Sequence, residues 1–342
     1  MKIQDLRHIK LTVLMAISLL LLQFSCNKPE ENKNIIPICS IITPENGAEI
    51  TKGDIVHISV NADDTDGNIA EVKFYIDKEE VASINSLPFD YEWITAEENI
   101  GNHKIRVIAS DNVGDTIGAE ITVNIIVMHE TGTVTDYDGN TYNTIKIGNQ
   151  WWMAENLKTT HYADGSEIPL VESKSDWSYL GDSLNGYCFY DNLQSNADTY
   201  GVLYTWSTAM NGEDTSTLNP SGVQGVCPDG WHLPSYTEWE ELIDYLGGFS
   251  VAGGKLKEVD TILWISPNYG ATNESGFSAL PAGVRHQYNA EYILKGYVAQ
   301  IMCCSGGWSY VGMSYEIRYD NERITWDEFY RNSGISVRCV KD

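Results

Sequence analysis

Hydrophobic and polar residues alternate in short runs over the stretch that follows residue 37. Val56-His-Ile-Ser-Val60, Val72-Lys-Phe-Tyr-Ile76, His103-Lys-Ile-Arg-Val-Ile108 and Ile121-Thr-Val-Asn-Ile125 carry apolar side chains at close to every second position. On a pleated strand this period puts them on one face. Gly, Asn, Asp and Pro separate the runs, and no helical spacing lies between them. Residues 38–128 are therefore expected to form an all-β antiparallel sandwich.

The pattern changes near residue 131. Thr133 to Gly139 and Thr141 to Ile147 read as a hairpin turned by Tyr-Asp-Gly-Asn. Tyr200, Leu203, Tyr204, Trp206 and Ala209 stand at roughly helical spacing within Asp198–Asn211. A second helix is better marked: Ser235 and Glu238 form a capping box, Trp239, Leu242, Ile243 and Leu246 fall at i, i+3, i+4 and i+7, and Gly247-Gly248 ends it. Short aromatic strands from Trp264 onward complete an α+β reading of residues 131–342. Nine of the ten Trp and eighteen of the twenty Tyr lie beyond residue 131, which makes this a separate domain with its own aromatic core.

The N-terminus has a different character. Lys2, Arg7 and Lys10 form a basic start, and the apolar run Leu11–Leu22 is too short to span a bilayer as a helix of about 20 residues. It reads as a secretory signal. Ser25 before Cys26 resembles a bacterial lipoprotein processing site, although Gln23 stands where that pattern has Leu; ordinary secretion with cleavage nearby is the alternative. On the lipoprotein reading residues 1–25 are removed, Cys26 is acylated, and residues 26–37 form a solvated tether. The expected location is the bacterial outer membrane, facing outward.

Charge narrows the partners. Of 22 basic and 48 acidic residues, residues 1–25 hold three and one, leaving 19 against 47, or −28. Such a surface repels nucleic acid and anionic headgroups.

Specific residues carry two family resemblances. Thr43-Pro-Glu-Asn-Gly47, Asp66-Gly67, Leu87-Pro-Phe89 and Ala109-Ser-Asp-Asn-Val-Gly114 make the first domain similar to bacterial Ig-like modules. In its loops Asp63, Asp64, Asp66 and Asp111 raise the question of a Ca²⁺ site, although Asp at such positions more commonly serves simply as a turn former. In the second domain Ile147-Gly-Asn-Gln-Trp-Trp-Met-Ala-Glu-Asn-Leu157, Tyr200-Gly-Val-Leu-Tyr-Thr-Trp206, Cys227-Pro-Asp-Gly-Trp-His-Leu-Pro234, Glu274-Ser-Gly-Phe-Ser-Ala-Leu-Pro-Ala-Gly283 and Val337-Arg-Cys-Val340 together resemble the FISUMP family, the "major paralogous domain" of bacterial surface proteins.

That resemblance implies a C-type lectin-like fold and no fixed activity. It also implies that Cys227 pairs with Cys339, closing a loop of about 110 residues, for which the chain-entropy model gives roughly 4 to 5 kcal/mol. Cys39 is unassigned. Cys303 or Cys304 bridged to Cys188, and all three as buried thiols, are equally open.

Enzyme signatures mostly fail. Gly248-Phe-Ser-Val-Ala252 lacks the last Gly of a nucleophile elbow, Gly253-Gly-Lys-Leu256 lacks the spacing of a phosphate loop, and no H-x-x-x-H occurs. Ser336-Val-Arg-Cys339 resembles the ending of formylglycine-generating enzyme. Cys303 and Cys304, however, are adjacent on one strand and suit a shared copper poorly. The calcium and sugar motifs of C-type lectins are absent around Trp308-Ser-Tyr310.

Aromatic rings in turn-rich segments remain the candidate ligand surface: Trp177, Tyr179, Tyr269, Tyr288 and Tyr292. The expected function is non-catalytic presentation of a lectin-like domain for adhesion or for glycan or protein binding, with no cofactor apart from the Ca²⁺ just weighed. A lectin-fold enzyme and a structural envelope protein without a ligand are the alternatives.

Overall fold

The computed structural model describes residues 33–180, 185–306 and 310–342. Cys26 and the apolar run before it lie outside the described residues. Among those described, no helix is long and apolar enough to cross a membrane. The chain divides between Ile125 and Ile126 into two compact units.

The first unit is two facing antiparallel sheets. Strands β1 (Ile38–Thr43), β3 (Ile55–Asp63) and β6 (Phe89–Ile94) form one, in the order β1-β3-β6. Strands β2 (Glu49–Thr51), β4 (Ile69–Ile76), β5 (Glu79–Ile84), β7 (Gly101–Asp111) and β8 (Thr116–Ile126) form the other, in the order β2-β8-β7-β4-β5. The four alternating runs fall inside β3, β4, β7 and β8. Their inward positions, among them Ile58, Val72, Phe74, Ile105, Val107 and Val123, are fully buried with Trp93. Burying each such side chain stabilises the fold by about 1.5–3 kcal/mol over leaving it exposed.

The second unit is mostly strand with short helices. Strands β9 (Thr131–Thr135), β10 (Thr141–Ile147), β11 (Gln150–Met153), β14 (Trp231–His232) and β20 (Val340–Lys341) form a sheet in the order β14-β20-β11-β10-β9. Strands β17 (Val298–Gly306), β18 (Val311–Arg318) and β19 (Ile324–Tyr330) form a second sheet. Two small pairs, β12 (Tyr187–Cys188) with β13 (Leu203–Tyr204) and β15 (Val284–Arg285) with β16 (Tyr292–Ile293), edge the loops. The helices are α1 (Lys174–Tyr179), α2 (Ala197–Tyr200), α3 (Trp206–Met210), α4 (Tyr236–Tyr245) and α5 (Ala252–Leu256).

Helix α4 matches its sequence signals. The Ser235 side chain accepts from the Glu238 amide while the Glu238 carboxylate accepts from the Ser235 amide, closing the capping box. Gly247 and Gly248, at φ +98° and +93°, stop it. Residues 198–211 do not form the single helix their spacing suggested: they divide into α2, β13 and α3. Gly201 breaks the run at φ +73°, where an added Cβ would meet Leu157 O at 2.7 Å.

The Cys227–Cys339 disulfide is formed, with Cα atoms 5.9 Å apart. It lies in a core with Tyr204, Trp206, Trp231 and Leu233. A second core surrounds Trp239, which stacks on Tyr315 at 4.6 Å and packs against Trp152 at 4.8 Å, with Phe277 edge-on. Cys303 belongs to this second core and Cys304 to the first, so adjacent strand positions send the two thiols to opposite sides. Cys188, Cys303 and Cys304 are buried free thiols, and Cys39 is free as well.

Arg338, fully buried, draws together sequence blocks that lie far apart in the chain. Its guanidinium donates to Asn156 Oδ1 at 2.8 Å, to Ser278 O at 2.8 Å and to Phe277 O. Asn156 in turn donates to Tyr200 O at 2.9 Å. Four of the five blocks thus meet at one buried cation, and the remaining one joins them through the disulfide and through β14, which pairs with β20. A buried charge is tolerable only when hydrogen-bonded in this way.

Candidate functional site

The exposed aromatic surface of the second unit is built on a buried one. Arg285, fully buried in β15, donates to Val171 O at 2.5 Å and Glu172 O at 2.8 Å, and its guanidinium lies 4.3 Å from the Trp177 ring centroid and 5.0 Å from that of Tyr292. This stack fixes α1 and the segment before it against the β15-β16 hairpin. Backbone bonds between Arg285 and Gly334, at 2.9 Å in both directions, fix the hairpin against the segment after β19.

On that floor the loop of the hairpin presents His286 and Tyr288. Ala290 in the left-handed region (φ +51°) lets the loop turn back on itself: the His286 amide donates to Glu291 O at 2.9 Å and the Ala290 amide donates to His286 O at 3.1 Å. Tyr288 is 64% exposed, Tyr310 51% and Tyr330 39%. Tyr288 and Tyr330 approach to 5.3 Å between centroids, and Tyr330 stacks on Tyr310 at 6.3 Å with 27° between planes. His286 lies 5.7 Å from Tyr288 at the other end, so the four rings form a row. Polar groups border it: Ser333 Oγ donates to Gln287 Oε1 at 3.2 Å, Asn332 Nδ2 to Gln287 O at 3.3 Å, and Ser178 Oγ to Tyr288 O at 3.0 Å.

The candidates named from sequence separate accordingly. Tyr288 is in the row, and exposed Tyr179 ends α1 directly beside Ser178. Tyr269 is exposed on another loop, its amide donating to Tyr319 O at 2.8 Å. Trp177 must be corrected: it is 0% exposed, because it is the one side chain that α1 turns inward. Tyr292 is also part of the floor, half-buried between Tyr190 and Arg285 with its hydroxyl donating to Asn192 Oδ1. Tyr310 and Tyr330 were not singled out from sequence. Their only signal is that Tyr330 ends a strand whose outward positions include Trp326 as well. Trp308 lies outside the described residues.

The acidic residues of the first unit take several roles. Asp111 Oδ1 accepts the Val113, Gly114 and Asp115 amides, which makes it a turn former, and Asp63 is exposed at the end of β3. Asp64 is 8% exposed, and Asp66 accepts the Ile35 amide at 3.2 Å.

Burial raises the pKa of the free thiols, Cys188 to about 11 and Cys303 and Cys304 to about 12, which leaves them protonated near neutrality. His232 instead sits between two carboxylates, Nε2 at 2.6 Å from Glu238 Oε1 and Nδ1 at 2.7 Å from Asp342 Oδ1. Burial alone would lower its pKa, but the bonds and charges of Glu238 and Asp342 outweigh it and the net shift is upward. It ties α4 to the C-terminus and is remote in role from the aromatic row.

Comparison with known proteins places these features in a family. The model of a bacterial Ig domain matches residues 37–107. No curated protein matches the chain. Similar solved structures include fibronectin(III)-like modules of Clostridium thermocellum CbhA, at 30% identity over 27% of this chain and 47% of that one, with a TM-score of 0.24. The chain thus spans about half the length of that structure. The PKD1 domain of Vibrio anguillarum Epp is 15% identical over 28% of this chain and 100% of its own, at a TM-score of 0.22. A Bacteroides ovatus SGBP-B in complex with a mixed-linkage heptasaccharide is 14% identical over 39% of this chain and 38% of its own, at 0.21. The model described as the Fibrobacter succinogenes major domain matches residues 145–341, more than half of the chain, and the protein belongs to that family.

Proposed function

We propose that this protein is a non-catalytic, lipid-anchored binding protein of the bacterial cell surface, in which the Ig-like unit holds a lectin-like domain outward and the row Tyr288, Tyr330 and Tyr310 receives a glycan. The observation that carries the reading is the row itself. Three half- to mostly exposed rings in mutual contact, bordered by amide and hydroxyl groups, offer flat apolar faces for sugar rings and hydrogen bonds for their hydroxyls. The rings are held by the backbone bonds of Arg285 and by Gln287, so little order has to be gained on binding.

Two features support the lectin-like reading: the disulfide that joins Cys227, four residues ahead of β14, to Cys339 immediately before β20, and the capped helix α4 that comes next in the chain after β14. The anchor at Cys26 and the outer-membrane location rest on the sequence before residue 38. A glycan array probed with the chain from residue 27 onward tests the proposal. Binding of at least one glycan class, weakened about tenfold or more by Tyr330→Ala as expected for an interface anchor, supports it. Capture of a protein partner with no glycan signal would replace it.

A further inference from the structure

One carboxylate of the Ig-like unit has no structural use for its charge. Asp64 follows β3 and is 8% exposed, yet neither of its oxygens is paired in ordinary hydrogen-bond geometry. Leaving a buried carboxylate unpaired is among the costliest arrangements in a fold. Burial raises its pKa, the Asp66 amide works against that shift, and the Asp66 side chain and the charges of Asp66 and Asp111 add to it, so that the net direction is upward. The neighbouring carboxylates already have donors of their own. Asp111 Oδ2 already accepts from Asn34 Nδ2 at 2.7 Å, and Asp66 from the Ile35 amide.

The surroundings are nevertheless arranged around Asp64. Gly67 passes so close that a Cβ added to it would run into both Asp64 Oδ2 and Asn112 Oδ1, which brings these two oxygens to one side of the loop. Asn112 is itself held by its Oδ1 accepting the Asn68 amide at 2.8 Å and by its own amide donating to Asn68 O at 3.0 Å. The loop after β3 and the loop after β7 are thereby locked together with oxygen atoms of Asp64, Asp66, Asp111 and Asn112 gathered between them.

We infer that these loops form a Ca²⁺ site centred on the Asp64 carboxylate, with Asn112 Oδ1 and a neighbouring carboxylate completing the protein donors. Among the described residues, no three His, Cys, Asp or Glu side chains stand close enough to hold a metal by themselves. The donor set is therefore a mixed one of carboxylate, amide and main-chain or water oxygens. That set suits Ca²⁺, which takes six to eight oxygens in flexible geometry, better than Mg²⁺, which demands a tight octahedron. With few carboxylates the affinity belongs in the range of extracellular modules, a Kd of roughly 10⁻⁴ to 10⁻³ M. Because Asp66 and Asp111 also hold Ile35 and Asn34, the ion stiffens the point where the chain enters the module.

Calorimetric titration of the full chain with CaCl₂ after dialysis against a chelator tests the site, with differential scanning calorimetry of the same samples. One Ca²⁺ is expected to bind with saturation and to raise the Ig-like transition by several degrees, with Mg²⁺ at equal ionic strength much less effective. Asp64→Asn removes both effects. It also relieves the like-charge crowding, so the variant stays folded in chelator and its melting point there does not fall. Asn112→Ala weakens binding without abolishing it. Absence of heat and of any shift up to about ten times the expected Kd, an equal response to Mg²⁺, or retained binding in Asp64→Asn would each overturn the site.

Discussion

His232 shows what a single side chain can link together and how that link responds to pH. It holds Glu238 of the capping box on one side and Asp342 on the other. Its folded-state pKa is raised above the ordinary 6.5, so its contribution to stability is complete below that value and is lost as pH climbs through the raised one. Thermal unfolding followed from about pH 6 to about pH 9 is expected to show a falling melting point in the wild type. In His232→Gln that slope flattens; an identical slope in the variant would remove His232 as its cause. This role was partly legible, because Trp-His-Leu precedes a capping box whose Glu must lie near the strand. Trp177 was misread for a related reason. Ser175, Asp176 and Ser178 make its segment look like surface, but in a single helical turn those polar residues leave only Trp177 to face the core.

At the scale of elements, local signals that complete themselves within a few residues were the readable ones. The alternating strands of the first unit, the hairpin of β9 and β10, and the α4 cap all depend on neighbours in sequence. Residues 198–211 depend instead on Leu157 and Asn156, which crowd Gly201 from a distant block. The aromatic row is of the second kind, since Tyr288 and Tyr330 are brought together by pairing of Arg285 with Gly334. Ser235 lets the element scale be tested. Its hydroxyl accepts from the Glu238 amide and donates to Leu218 O at 2.6 Å. Ser235→Ala is expected to cost about 1–2 kcal/mol in chemical denaturation, and a cost near zero would mean that the cap is dispensable.

Over the whole molecule, the division into two units and the Cys227–Cys339 bridge agree with features visible in the sequence, whereas the buried cations that tie the second unit together had no local signature. Arg338, Arg285 and Lys257 look like surface residues in a one-dimensional pattern, yet all three are fully buried against backbone carbonyls. The bridge spans 112 residues. Reducing it is expected to lower the melting point of the second unit by roughly 8–20 °C, from about 4 to 5 kcal/mol of loop-closure entropy. An unchanged transition after verified reduction would show that packing alone closes the fold.

On the proposed function, ligand recognition resides in the tyrosine row. Its most direct test is the affinity of the best array glycan for three proteins: the wild type, Tyr288→Ala combined with Tyr330→Ala, and Tyr269→Ala as an equally exposed aromatic outside the row. The double variant is expected to lose binding by about a hundredfold or more while Tyr269→Ala binds like the wild type. Retained affinity in the double variant, or loss in Tyr269→Ala alone, would contradict it.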